Sequence, residues 1–90
     1  MMKLIFKHSD RCPVSRRAKV EVDRFLENNS RELEYEFVDV INNRPRSMEI
    51  AEQFGIQHES PQFILLDDNG NVRSHASHGA VTAERIKEEL

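Results

Sequence analysis

The side chain best suited to chemistry in this sequence is its only cysteine, Cys12. Pro13 follows it directly, and proline is favoured at the first position of a helix, where its missing N–H costs nothing. Cys12 is therefore predicted at a helix N-cap, facing unpaired backbone N–H groups and the positive end of the helix dipole. Arg11 and Arg16 add positive charge, which Asp10 partly opposes. These surroundings favour a nucleophilic thiolate over a structural thiol.

Ser15 stands three residues after Cys12, where a dithiol enzyme has its resolving cysteine. A serine cannot form a disulfide, although its hydroxyl can donate a hydrogen bond to a thiolate. The spacing predicts monothiol chemistry: Cys12 attacks a mixed disulfide, captures the small thiol and releases it to a second thiol. We assign Cys12, Pro13 and Ser15 to the catalytic segment.

Basic residues near Cys12 are candidates for binding an anionic substrate. Arg11 and Arg16 have the planar donor group that pairs with the carboxylate of a low-molecular-weight thiol. Lys7 and Arg44 are predicted to complete a positive rim, whereas Arg17 is predicted to lie on a solvated helix face.

The four histidines could indicate a metal site together with Cys12. However, His75 and His78 are three apart on a predicted strand and so point to opposite faces. The spacing from His8 to Cys12 is not a standard zinc spacing. We therefore predict no metal site and assign His8 to substrate binding.

Composition limits the class of protein. Ninety residues fit one small domain, so we expect a single domain over residues 1–90. A net charge of −3 argues against a nucleic-acid binder. One cysteine cannot form an internal disulfide, and a free thiol fits a reducing cytosol. No apolar run is long enough for a signal peptide or a membrane span, so we expect a cytoplasmic monomer.

Hydrophobic periodicity and turn residues predict the elements that position these side chains. The predicted strands are 4–6, 33–40, 62–66 and 71–78, and the predicted helices are 13–28, 45–54 and a last one capped by Thr82. Phe63 to Leu66 are all apolar, which indicates a central strand buried on both faces. The last two strands are joined by a hairpin turn at 67–70.

The order β-α-β-α-β-β-α predicts an α/β fold. Two strands separated by a helix should be parallel with a right-handed crossover, and the hairpin adds two antiparallel strands. A four-stranded mixed sheet flanked by three helices is the thioredoxin-like fold in its minimal form. Cys12 then lies at the carboxyl end of the first strand, where open α/β sheets bind ligands.

A second candidate segment is Ser60-Pro61, which follows a polar loop and begins the central strand. An X-Pro bond there is a candidate cis peptide. Thioredoxin-like proteins place a cis-proline beside the active cysteine, where the backbone of the preceding residue can pair with an extended substrate. We therefore assign Ser60 and Pro61 to substrate binding.

Several segments, in order from Leu4 to about Thr82, resemble the YtxJ family of monothiol bacilliredoxins. The segments are Phe6-Lys7-His8-Ser9, Cys12-Pro13-Val14-Ser15, Arg44-Pro45-x-Ser47, Ile50-Ala51-Glu52-Gln53-Phe54-Gly55-Ile56, His58-Glu59-Ser60-Pro61-Gln62 and His75-Ala76-Ser77-His78. The last two are the specific ones. The resemblance implies a thioredoxin-like fold, Cys12 as nucleophile and Ser60-Pro61 as the cis-proline element.

The resemblance also implies an activity, the removal of bacillithiol from S-bacillithiolated cytosolic proteins. Bacillithiol would then be the co-substrate, with no tightly bound cofactor. Two alternatives stay open: a glutaredoxin-like protein that uses glutathione or another small thiol, and a non-catalytic binding module in which Cys12 senses oxidants. A cluster carrier is disfavoured because such monothiol glutaredoxins usually carry Cys-Gly-Phe-Ser, and Pro13-Val14 follow the cysteine here.

Overall fold

All 90 residues are described by the structure, a computed structural model, and they form four strands and three α-helices. The strands are β1 (Met2–His8), β2 (Leu33–Asp39), β3 (Gln62–Leu66) and β4 (Val72–Ser77). The helices are α1 (Pro13–Asn28), α2 (Arg44–Phe54) and α3 (Ala83–Glu88). A 3-10 turn at His78–Ala80 joins β4 to α3.

The strands form one mixed sheet in the order β2-β1-β3-β4. β1 pairs parallel with β2 and antiparallel with β3, and β3 pairs antiparallel with β4. The predicted thioredoxin-like fold, with its β-α-β-α-β-β-α order, is confirmed. β1 is longer than the predicted 4–6 because its polar residues also join the ladders to both neighbouring strands.

The core has one layer on each face of the sheet. Leu4 and Phe6 of β1 belong to the cluster that packs α1 and α3 against one face, whereas Ile5 packs with Ile50 of α2 on the other. This alternation follows from the two-residue period of a strand. Every residue of β3 is buried, as the prediction of a central strand required.

Local signals fix where the helices begin and end. Cys12 is the N-cap of α1 and Pro13 its first residue. Gly55 ends α2 with a φ of 64°, a left-handed conformation that glycine adopts without a steric cost. Thr82 caps α3, because its side chain accepts a hydrogen bond from the Arg85 N–H. No helix has both the length and the apolar character needed to cross a membrane.

Candidate active site

Cys12 lies where the chain leaves β1 and enters α1. Its backbone is extended, with a φ of −110° and a ψ of 120°, and its side chain makes no capping hydrogen bond. The Cys12 N–H donates to the Ser9 carbonyl at 3.3 Å, and the Cys12 carbonyl accepts from the Arg16 N–H at 3.0 Å. The residue is half-buried and its thiol is free. The thiol therefore stands at the end of the sheet on a backbone fixed from both sides.

A groove of about 640 Å³ contains Cys12 in its wall. One part of the wall is a single face of α1, formed by Val14, Arg17, Ala18 and Glu21. Residues at this spacing of three, four and seven positions share one face of a helix. The rest of the wall consists of Ser60, His78, Gly79, Val81 and Thr82. A mixed disulfide that reaches Cys12 must enter between these two sets of side chains.

Ser60 and Pro61 directly precede β3, and Ser60 shares the groove wall with Cys12. The Ser60–Pro61 peptide bond is cis. The Pro61 carbonyl accepts a hydrogen bond from the His78 N–H at 2.8 Å, which ties the β3 start to the 3-10 turn. The Ser60 hydroxyl is buried and has no hydrogen-bond partner within the protein. Ser60 contributes to the groove wall, although its hydroxyl itself is covered.

Ser15 is fully buried under the first turn of α1. Its hydroxyl oxygen accepts a hydrogen bond from the Ser9 N–H at 2.9 Å and lies 2.9 Å from Nδ1 of His8. No hydrogen bond joins Ser15 to Cys12, so the hydroxyl holds the turn before α1 instead of contacting the thiol. The Cys-x-x-Ser spacing suggested a hydrogen bond from Ser15 to the thiolate, and it did not indicate this structural use of the serine.

His8 connects Ser15 to Asp10. The His8 Nε2 lies 2.7 Å from the Asp10 carboxylate, and its Nδ1 faces the Ser15 hydroxyl. Because a carboxylate only accepts hydrogen bonds, Nε2 carries a proton. The residue is 1% exposed, so a substrate cannot contact its ring. The assignment of His8 to substrate binding is corrected: His8 positions the segment before Cys12 from beneath.

The arginines around Cys12 are placed differently from the sequence-based expectation. Arg16 is exposed and donates to the Asp10 carbonyl at 2.9 Å, and Arg11 is exposed without a hydrogen-bond partner. Neither lines the groove. Arg17 is exposed, as its assignment to a solvated helix face predicted, and it also lines the groove. The signal was present in the sequence, since Arg17 falls on the same helix face as Val14.

A second polar cluster lies on the other face of the sheet, against α2. Lys7 is fully buried, and its Nζ lies 3.2 Å from Nδ1 of His58. The Ser47 hydroxyl lies 3.1 Å from the same nitrogen. Burial lowers the pKa of Lys7, and burial together with the neighbouring charges of Lys7 and Arg44 lowers the pKa of His58. Lys7 is therefore part of the core and not of a positive rim around Cys12.

The structure brings no three histidine, cysteine, aspartate or glutamate side chains together at positions that could hold a metal ion.

Solved structures of known proteins share this fold. A protein assigned as an oxidoreductase with a thioredoxin fold is 27% identical over 98% of this chain and 76% of its own, with a TM-score of 0.87. The thioredoxin of Fasciola hepatica is 20% identical over 97% of this chain and 75% of its own, with a TM-score of 0.70. Thioredoxin-2 of a malaria parasite, described as a component of its protein secretion machinery, is 17% identical over 96% of this chain and 77% of its own, with a TM-score of 0.74. The last two show the fold alone.

The sequence also matches a family model. The model described as monothiol bacilliredoxin BrxC matches residues 1–86. That span contains the Cys12 segment, the start of β3 and the whole groove wall. Family and fold together indicate a role of the thiol oxidoreductase kind. Since the match covers nearly the whole chain, this protein belongs to the monothiol bacilliredoxin family.

Proposed function

We propose that this protein is a cytoplasmic monothiol oxidoreductase that removes bacillithiol from S-bacillithiolated proteins, with Cys12 as the nucleophile. The observation that supports this most directly is the placement of the only thiol. Cys12 is half-buried in the wall of a groove large enough for a small thiol, and no second cysteine is present to resolve a disulfide. A captured thiol therefore has to leave by reaction with a thiol from outside the chain.

The reaction takes place in two exchange steps. The Cys12 thiolate attacks the bacillithiol sulfur of the mixed disulfide, so that a Cys12–bacillithiol disulfide forms while the bond to the client sulfur breaks. The client leaves as a thiolate and takes a proton from solvent. A second low-molecular-weight thiolate then attacks the bacillithiol sulfur on Cys12, forms a small disulfide and returns Cys12 as a thiolate. Each step breaks one disulfide and forms one.

The other assigned residues support these steps from different sides. Pro13 is the first residue of α1 and fixes the position of Cys12 as the helix N-cap. Ser15 fixes the turn beneath the thiol. Ser60 lies in the groove wall, and the cis peptide bond that joins it to Pro61 fixes the direction of the backbone there. The exposed Arg11 and Arg16 stand outside the groove and would meet the client protein.

The same proposal defines the partners. The co-substrate is bacillithiol, no cofactor is tightly bound, and the clients are S-thiolated cytosolic proteins. The chain acts as a monomer because one thiol completes the exchange. A net charge of −3 gives no electrostatic reason to bind nucleic acid or an anionic membrane surface.

The test uses one client protein with a single cysteine, prepared as the bacillithiol and as the glutathione mixed disulfide. Release of each small thiol is followed by mass spectrometry with the wild-type protein and with Cys12→Ser. We expect faster release of bacillithiol, complete loss of release in Cys12→Ser, and one bacillithiol attached to wild-type Cys12 during turnover.

Each other result selects a different function. Faster release of glutathione would support the glutaredoxin-like alternative. Release by Cys12→Ser would refute thiol exchange at this residue. No release from either client, with Cys12 oxidised by peroxide instead, would support the redox-sensing binding module.

A further inference from the structure

Arg17 is the one basic side chain in the wall of the Cys12 groove apart from His78. Its guanidinium has no hydrogen-bond or salt-bridge partner in the structure. The other basic side chains of α1 are engaged: Arg16 with the Asp10 carbonyl, Lys19 with Asp23 and Arg24 with Glu21. An exposed, unpaired cation therefore lies in the same groove wall as Cys12.

The only carboxylate in the groove wall, that of Glu21, is already satisfied. Its Oε2 accepts from Arg24 at 2.9 Å, and its Oε1 accepts from the Ala83 N–H at 3.1 Å. The second bond ties Glu21 to the start of α3, so the Glu21 carboxylate does not pair with the Arg17 guanidinium. The charges of Arg17 and Glu21 are equal and opposite, but both carboxylate oxygens of Glu21 are bonded to other groups, so the Arg17 guanidinium stays without a partner.

His78 provides a second polar group in the same wall. Its φ of 56° is left-handed, and its N–H is bonded to the Pro61 carbonyl at 2.8 Å, so the turn at 78–80 is fixed against the start of β3. The imidazole remains 61% exposed, with only the Glu59 carboxylate near it, 3.9 Å away. Its ring nitrogens are available to a ligand in the groove.

From these contacts we infer that Arg17, assisted by His78, forms a subsite that binds a carboxylate of the small thiol whose sulfur is attacked by Cys12. A helix rises about 1.5 Å per residue, so Arg17 stands roughly 7.5 Å along α1 from Cys12. A carboxylate a few bonds from the reacting sulfur lies within reach of the guanidinium. This inference rests on the proposed function, because it selects among small thiols for one reaction.

The experiment compares two mixed disulfides of one client protein, made with 3-mercaptopropionate and with 2-mercaptoethanol. The two small thiols are close in size, but only the first carries a carboxylate. We expect the wild-type kcat/KM to favour the carboxylate by about tenfold, mainly through KM, since one charge-assisted hydrogen-bond pair is at stake. Arg17→Gln should abolish the preference and Arg17→Lys should restore part of it. Arg73→Gln, which removes the same charge far from the groove, should retain it.

A second measurement does not depend on turnover. Because Cys12 is the only thiol, its alkylation by 3-maleimidopropionate can be compared with that by uncharged N-ethylmaleimide. Arg17→Gln should lower the ratio of the two rates severalfold, and Arg73→Gln should leave the ratio unchanged.

The outcomes separate the two proposals. If neither mixed disulfide is released but the maleimide ratio depends on Arg17, the subsite stands and the proposed function fails. If both are released at equal efficiency, or if Arg17→Gln keeps the preference, the subsite is refuted while the function stands.

Discussion

Ser15→Ala tests whether the serine of the Cys-x-x-Ser segment is structural. The substitution removes one hydroxyl that is fully buried and that bonds the Ser9 N–H and the His8 ring at 2.9 Å each. A buried polar group left without its partner costs about 1–3 kcal/mol. The Nδ1 of His8 loses its partner, although Nε2 keeps its bond to Asp10, whereas Ser9 is only half-buried and can bond water instead.

Alanine regains roughly 0.5 kcal/mol of helix propensity relative to serine, which offsets part of the loss. We therefore expect the free energy of unfolding to fall by about 1.5 kcal/mol. For a domain of this size, that corresponds to a decrease in Tm of about 6–12 °C. Since Ser15 does not contact Cys12, folded Ser15→Ala should still react with N-ethylmaleimide at close to the wild-type rate.

Urea unfolding of the wild type and the variant measures the change, with an unaltered m-value as the sign that both unfold in the same way. The matched control is Ser30→Ala, since Ser30 is exposed and makes no side-chain hydrogen bond. Its stability should change by less than about 0.5 kcal/mol. A decrease of that small size for Ser15→Ala would refute the structural role, and a folded variant with an unreactive thiol would show that Ser15 acts on Cys12 directly.

Two further predictions concern acid stability and the end of α2. Hydrogen bonds from Arg46 above all, and the charge of Lys3, lower the pKa of Glu36 from 4.5 to about 2. Because the folded-state pKa is the lower one, this stabilisation is complete above about pH 4.5 and is lost as the pH falls towards 2. Glu36→Gln should therefore lower the free energy of unfolding by about 1–2 kcal/mol at pH 7, after allowance for solvent screening. In urea titrations between pH 4.5 and 2, the variant should lose less stability than the wild type. An equal loss in the two proteins would contradict this prediction. Gly55→Ala should cost about 1 kcal/mol in thermal unfolding because φ is 64° there, whereas Gly79→Ala, with an ordinary φ and open space around it, should cost nothing measurable; equal effects would refute the argument from backbone conformation.

The fold could be predicted from the sequence because its signals are local. Helical periodicity over 13–28 placed α1, and the apolar run at Phe63 to Leu66 placed the central strand. Pro13 placed Cys12 at the start of a helix, and that position is confirmed. These features depend on residues that are neighbours in the sequence and on the backbone conformations that each residue type favours.

The groove could not be predicted in the same way because it depends on contacts between distant segments. Arg17 shares the groove wall with the turn at His78. The sequence predicted that the last strand continues through His78, so the shared wall was not expected. Lys7 was expected at the surface because lysine is rarely buried without a partner, and that partner, His58, lies 51 residues away. Only the packed structure shows which polar side chains meet.

Because Cys12 is the only thiol in the sequence, any disulfide adduct on the protein is an adduct on Cys12. An intact-mass spectrum of protein isolated from cells then reads directly as the fraction loaded, with no peptide mapping to decide which sulfur carries the adduct. In a steady state, that fraction equals the loading rate constant divided by the sum of the loading and unloading rate constants. The mass of the adduct identifies the small thiol in use. The loaded fraction then reports the balance of thiol exchange in the compartment from which the protein was isolated.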